Sequence, residues 1–240
     1  MATDTASPPK VVSREEWLDA RKAFLVQEKE LTYELDWLRA ERRRLPWVKV
    51  EKHYAFEGPD GICTLTDLFA GRSQLAVYHF MLAAGSDHVC KGCSLVADHI
   101  DGALKHFGDA DLSFAAVSRA SIERINYVKR RLGWTFPWVS SYGNDFNFDF
   151  GVSFKTEDIA AGRAIFNYDT KVKSEDMMGT SIFARGDSGD VFHTYSAYAR
   201  GIENLMGVFM WLDLTPKGRY QFDDGRSRLS EDEPKNTRNC

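Results

Sequence analysis

Residues 74–98 read QLAVYHFMLAAGSDHVCKGCSLVAD, and this stretch decides the fold. From Gln74 to Leu82 the side chains are nearly all apolar. A run of that length and composition predicts a strand buried on both faces, as in a parallel sheet covered by helices. A loop over residues 83–89 follows. Cys90-Lys91-Gly92-Cys93 then opens a segment in which Cys93, Val96, Ile100, Ala103, Leu104 and Phe107 recur at helical spacing. The reading is strand, loop, helix, with a C-x-x-C at the helix start.

Downstream the alternation repeats. Leu112 to Val117 predicts a second buried strand, and Ser121 to Leu132 a helix. Phe136 to Val139 is a short extended piece. Alternating strands and helices of this kind predict βαβ units and an at least partly parallel sheet. Residues 153–178 read as a polar insertion. Gly186-Asp187-Ser188-Gly189 then separates two extended runs and signals a hairpin. Residues 201–214 predict a closing helix.

Upstream, residues 1–12 form a small-residue leader. Ser13 stands three residues before Glu16, a capping-box spacing. Apolar residues recur from Trp17 to Leu45, and Pro46 closes the segment. Such a helix would span about 48 Å, longer than one small domain needs. Its apolar positions exceed what the sheet can cover, so the expectation is a homodimer formed through this helix. Arg42-Arg43-Arg44 is read as a cationic last turn that complements the helix dipole. Around Gly58-Pro59-Asp60-Gly61 a turn is expected. The domain boundaries expected are 1–46 for leader and helical extension, 47–216 for the α/β domain and 217–240 for a polar tail.

Composition excludes several function classes. Of 240 residues, 43% are hydrophobic and 28% charged, the balance of an ordinary globule. Lys plus Arg number 31 against 35 Asp plus Glu, a net charge of −4, so nothing global favours nucleic acid. No apolar run is long enough for a membrane span, and residues 1–14 lack the apolar region of a secretory signal. The expected location is the cytoplasm. Four cysteines are too few for a disulfide scaffold.

The chemistry therefore falls on Cys90 and Cys93. Thiolate is the nucleophile, and an unperturbed thiol is only about 3% ionised at pH 7. A helix start aims unpaired N–H groups at the first sulfur. The dipole alone would bring Cys90 to a pKa of roughly 7, with Lys91 adding to it if it faces the sulfur. Cys90, ahead of the apolar face, is expected to be exposed and to attack. Cys93, on that face, is expected to be buried and to resolve the mixed disulfide. Metal binding by His88, Cys90, Cys93 and His99 is the rival reading. Ligands on one short helix rarely close a tetrahedron.

Several segments carry a family resemblance. They are Leu75 to Met81, Cys90-x-x-Cys93-Ser94-x-x-Ala97-Asp98, Ala116 to Arg119, Gly133-Trp134-x-Phe136-Pro137-Trp138-Val139-Ser140-Ser141, the Asp145 to Val152 segment, Val191 to Tyr195, Tyr198 to Gly201 and Leu212 to Arg219. On these the chain resembles a thioredoxin-like family, a domain family of unknown function described as predicted dithiol-disulfide oxidoreductases. The resemblance implies a thioredoxin-like α/β fold, a central mixed sheet flanked by helices, with the first cysteine as nucleophile. Phe136 to Ser140 also looks like a segment that peroxiredoxins carry after their second helix. Two departures matter. Met178-Gly179-Thr180 stands where thioredoxins place a cis-proline, and Asp87 stands where peroxiredoxins place a threonine.

The resulting expectation is a thiol–disulfide oxidoreductase whose redox-active centre is Cys90 and Cys93. It requires no cofactor. Its partners would be a protein or small-molecule disulfide and a cellular thiol reductant. The alternatives are a peroxiredoxin-like peroxide reductase, and a non-catalytic redox-sensing or binding module on the same fold. His79 and His193 read as satisfied sheet histidines, and Arg119 and Arg200 as surface or capping residues. The aromatic cluster from Trp134 to Phe150 reads as core; Phe146, Phe148 and Phe150 alternate like a strand, whereas the resemblance suggests a turn or short helix there.

Overall fold

A computed structural model describes residues 10–172 and 174–219. Residues 1–9 of the expected leader, and most of the expected tail with Cys240, lie outside the described residues. The chain divides into two units, residues 1–46 and 47–240.

Among its described residues the first unit holds one helix, α1 (Arg14–Arg42). Ser13 caps it as its spacing predicts: the Glu16 N–H donates to Ser13 Oγ at 3.2 Å, and the Ser13 N–H donates to Glu16 Oε2 at 3.0 Å. Glu15 and Glu16 at the start and Arg39 and Arg42 at the end complement the dipole. The helix stops at Arg42, so Leu45 lies beyond it. None of its residues is buried; Trp17, Phe24, Leu31 and Trp37 are all exposed.

The second unit runs β1 (Val48–Lys49), β2 (Ala55–Gly58), β3 (Gly61–Thr64), β4 (Gln74–His79), α2 (Lys91–Ala97), α3 (Leu104–Asp109), β5 (Leu112–Ser118), α4 (Ile122–Leu132) and β6 (Trp138–Ser140). It continues with α5 (Phe146–Asp149), α6 (Thr156–Ala160), β7 (Ile165–Phe166), β8 (Thr170–Lys171), β9 (Gly179–Arg185), β10 (Val191–Tyr198) and α7 (Gly207–Asp213). One sheet has the order β1-β10-β9-β4-β5-β6-β2-β3. β4, β5 and β6 are parallel; β9 joins β4 antiparallel on its other side, and β10 returns beside β9. A parallel β-α-β-α-β unit followed by an antiparallel hairpin, with the central strand running into the C-x-x-C, is a thioredoxin-like α/β fold.

Strand alternation sorts side chains onto two faces. Ala76, Tyr78 and Phe80 meet Cys93, Val96, Ile125, Trp134 and Trp138 in one core. Leu75 and Val77 meet Phe56, Phe69, Phe146 and Phe183 in the other. α4 shows how the sequence builds one layer. Ser121 Oγ accepts from the Arg124 N–H at 3.4 Å, Ile122, Ile125 and Val128 are buried, and Gly133 ends the helix at φ 71°. Each such side chain contributes about 1.5–3 kcal/mol on burial.

Two helix expectations are corrected. The helix after Cys90 breaks after Ala97 and resumes at Leu104. The break coincides with Asp101, whose carboxylate accepts from the N–H groups of Thr135 and Phe136 at 2.8–3.1 Å and so faces a distant loop. Residues 201–214 do not form one helix: a 3-10 stretch over Ala199–Leu205 precedes α7, with Met206 extended between them. Between the two readings kept open for Phe146, Phe148 and Phe150, the structure has the short helix: they belong to α5 and its C-cap. In the 153–178 insertion Ala164 and Phe166 are buried, in an apolar cluster completed by Val152 just before it and Tyr198 on β10.

Candidate active site

Cys90 is the N-cap of α2, at φ −59° and ψ 118°. Its sulfur takes the place usually held by a Ser or Asp oxygen, accepting the Cys93 N–H at 3.3 Å. The Ser94 hydroxyl donates to the Cys90 carbonyl at 3.0 Å and ties the turn. The side chain is half-buried, packed against the core beneath; this corrects the expectation of an exposed thiol. A sulfur turned back over its own helix start is covered by that first turn.

Hydrogen bonds decide its ionisation. The Cys93 thiol donates to the Cys90 sulfur, and the N–H groups of Cys93 and Gly92 add to this. Together they outweigh burial and lower the Cys90 pKa from the ordinary 9.0 to about 7. Lys91 is not among the groups that move it, and its ammonium is buried without a hydrogen-bond partner among the described residues. The expected help from Lys91 is therefore absent.

Cys93 has no exposed surface. Burial first, and the neighbouring Cys90 second, push its thiol well above the ordinary range. Opposing them are the Tyr78 hydroxyl and the Met81 N–H, which lies 3.5 Å from the sulfur. Tyr78 is 1% exposed, and its hydroxyl has no nitrogen or oxygen partner among the described residues. Sequence reading missed it, because a tyrosine in an apolar run looks like core. It missed Arg124 as well: the guanidinium donates to the Asp87 carbonyl at 2.7 Å and stands 3.5 Å from its carboxylate, pinning the loop before Cys90 to α4.

The remaining expected residues lie elsewhere. His99 donates from Nδ1 to the Leu95 carbonyl at 2.7 Å and accepts the Val208 N–H on Nε2 at 3.1 Å, so neither nitrogen is left for a metal. No group of three or more His, Cys, Asp or Glu among the described residues is placed to hold one. Arg119 is neither a surface nor a capping residue: it makes a bidentate pair with Asp176 at 2.8 and 2.9 Å. Arg200 lies on the surface, beside Glu203 at 3.2 Å. Cys63 is half-buried on β3, its thiol raised by burial and then by Asp67.

The sheet and the dithiol at the start of α2 define a thioredoxin-like protein. Over residues 6–233 the chain matches the family described as "Bacterial protein of unknown function (DUF899)", and it belongs to that family. No curated protein matches it. Among solved structures it is similar to the peroxidoxin BcpB of Mycobacterium tuberculosis, at 13% identity and a TM-score of 0.47, covering 68% of this chain and 94% of that one. It is also similar to a cysteine-to-serine mutant of Xylella fastidiosa PrxQ, at 16% identity and 0.46, over 70% and 94%. A putative thiol:disulfide interchange protein DsbE from Chlorobium tepidum is similar at 12% identity and 0.43, over 68% and 93%. No helix among the described residues is long and apolar enough to cross a membrane.

Proposed function

We propose that the protein is a thiol–disulfide oxidoreductase that works through Cys90 and Cys93. One observation carries the reading: a half-buried thiol with a pKa of about 7 accepts hydrogen bonds from a second, fully buried cysteine one turn along the same helix. At pH 7 about half of Cys90 is then thiolate, and a thiol with its pKa near ambient pH is the best attacker.

In the first step the Cys90 thiolate attacks one sulfur of the substrate disulfide. The substrate S–S bond breaks, a mixed disulfide forms, and the leaving thiolate takes up a proton. Cys93, once deprotonated, attacks the Cys90 sulfur and releases the second substrate thiolate, which is protonated in turn. The products are two substrate thiols and a Cys90–Cys93 disulfide; two electrons have passed to the substrate. A cellular thiol reductant reverses the exchange and restores the dithiol. Proximity compensates for the weak ionisation of Cys93, and the Tyr78 hydroxyl supports its thiolate. No cofactor is required. The reading places the protein in the cytoplasm, where such a reductant is found.

The test is turnover of the purified protein on a model disulfide and on hydrogen peroxide, each with a dithiol reductant. Disulfide reduction that depends on Cys90 is expected. Peroxide consumption with an inert disulfide would replace the reading with a peroxidase, and inertness toward both would leave a redox-sensing or binding module.

A further inference from the structure

The face of the sheet away from the dithiol holds a polar chain that the proposed chemistry does not use. His79 Nε2 lies 2.9 Å from Ser181 Oγ, Ser181 Oγ 2.8 Å from Ser196 Oγ, and Ser196 Oγ 2.8 Å from His193 Nε2. At one end His79 Nδ1 is 3.3 Å from Asn147 Oδ1; at the other, His193 Nε2 is 3.1 Å from the Tyr195 carbonyl. Both terminal oxygens can only accept. The hydrogens are therefore assigned in one way. His79 Nδ1 donates to Asn147, and His193 Nε2 donates to Tyr195 and Ser196. Ser196 then donates to Ser181, and Ser181 to His79 Nε2. Burial keeps both imidazoles neutral at pH 7. His193 Nδ1 is left as a bare acceptor, with no hydrogen-bond partner among the described residues.

His193 also lines a cavity of about 470 Å³. Tyr54, Phe150, Tyr168 and Tyr198 give it aromatic walls. Its lysines are already matched: Lys52 Nζ lies 2.7 Å from both Asp145 and Asp149, and Lys49 pairs with Asp190 at 3.0 Å. Lys52 also covers the Tyr54 ring at 5.6 Å. Glu51 adds an exposed carboxylate at the rim. One wall is strained. Asn167 and Tyr168 sit at φ 49° and 69°, a left-handed conformation that a bulky side chain rarely adopts. The Tyr168 hydroxyl donates to the Ser196 carbonyl at 3.2 Å, and its ring stands 5.6 Å from Tyr198. Backbone strain that holds a largely exposed tyrosine beside a cavity points to use of that cavity.

We propose that this cavity binds a small, uncharged, planar aromatic molecule bearing a hydroxyl or N–H group, with His193 Nδ1 accepting its hydrogen and the aromatic walls packing on its ring. The proposal is independent of the dithiol reading.

Phenol is the probe, titrated into the full chain and followed through the histidine ring resonances of ¹³C-labelled protein. Toluene keeps the ring without the donor; cyclohexanol keeps the donor without the flat ring. A saturable shift of His193 with phenol is expected, with affinity at least about tenfold weaker for each of the other two. His193→Phe keeps a ring and removes the acceptor, so phenol and toluene, followed in this variant through the ring resonances of ¹³C-labelled Tyr54, Tyr168 and Tyr198, should then bind alike. Tyr168→Gly relieves the left-handed strain, so its thermal midpoint should hold or rise while phenol affinity falls about tenfold. A lower midpoint with unchanged affinity would make Tyr168 purely structural and overturn its part in the site. Equal binding of phenol and toluene to the unmodified protein, or no saturable shift at His193, would overturn the proposal.

Discussion

The two faces of the central sheet bury titratable groups with opposite results. On the α2 face, Cys90 is half-buried, yet its thiol loses its proton more readily than a free one, because three donors point at the sulfur. On the other face His79 is wholly buried, and its partners Asn147 and Ser181 do not compensate, so its pKa falls from 6.5 to about 4. Burial is common to both. What differs is whether the neighbours supply hydrogen bonds to the charged form. The first face is set up for an anion, the second for a neutral ring.

The largest expected effect comes from removing the anion. Cys90→Ser should reduce disulfide exchange to background, whereas Cys93→Ser should still attack and then accumulate a covalent adduct visible by mass spectrometry. Full activity in Cys90→Ser would break the comparison at once.

The second face is sharpened by pH. A histidine whose folded pKa lies below its unfolded value binds fewer protons when folded. Stability should therefore be fully present above pH 6.5 and lost as pH falls from 6.5 toward 4. The loss attributable to His79 is up to about 3 kcal/mol. Urea unfolding across this range checks it, and His79→Gln should flatten the slope. An equally steep slope in the variant would assign the effect elsewhere.

Asp101→Ala is a smaller perturbation on the dithiol face. It removes the acceptor for the N–H groups of Thr135 and Phe136 and for the Thr135 hydroxyl. The cost in urea unfolding should be about 2 kcal/mol. Cys90 reactivity should be unchanged, since these bonds act on the aromatic layer and do not reach the sulfur.

Much of this architecture was legible in the sequence. Buried parallel strands read as continuous apolar runs, which is why residues 74–82 located the central strand. Ser13 and Ser121 announced their helices because a cap acts over three residues. The C-x-x-C located both thiols. What escaped depends on contacts between distant residues. Arg119 finds Asp176 57 positions away, Arg124 reaches the loop at Asp87, and Tyr78 meets Cys93; no local pattern encodes any of these. The α5 segment was ambiguous because Phe146, Phe148 and Phe150 fit period two, while the chain follows a four-residue helix in which Asp149 meets Lys52. Lys91 misled for a related reason. Adjacency to Cys90 in sequence does not place its ammonium at the sulfur.

That last point yields the smallest effect. Lys91→Met should move the Cys90 titration by less than about 0.3 of a unit, because the donors that lower its pKa are Cys93 and Gly92. A rise of a full unit would restore the lysine to the site.

The central claim is that Cys90 is the ionised thiol and Cys93 the protected one. Its most direct test is the rate of iodoacetamide alkylation at each cysteine of the reduced, native protein between pH 5 and 9, read by peptide mass spectrometry. Cys90 should label with a midpoint near pH 7, and Cys93 should stay unlabelled until the protein unfolds. Faster labelling of Cys93, or a Cys90 midpoint at the ordinary thiol value, would contradict the account.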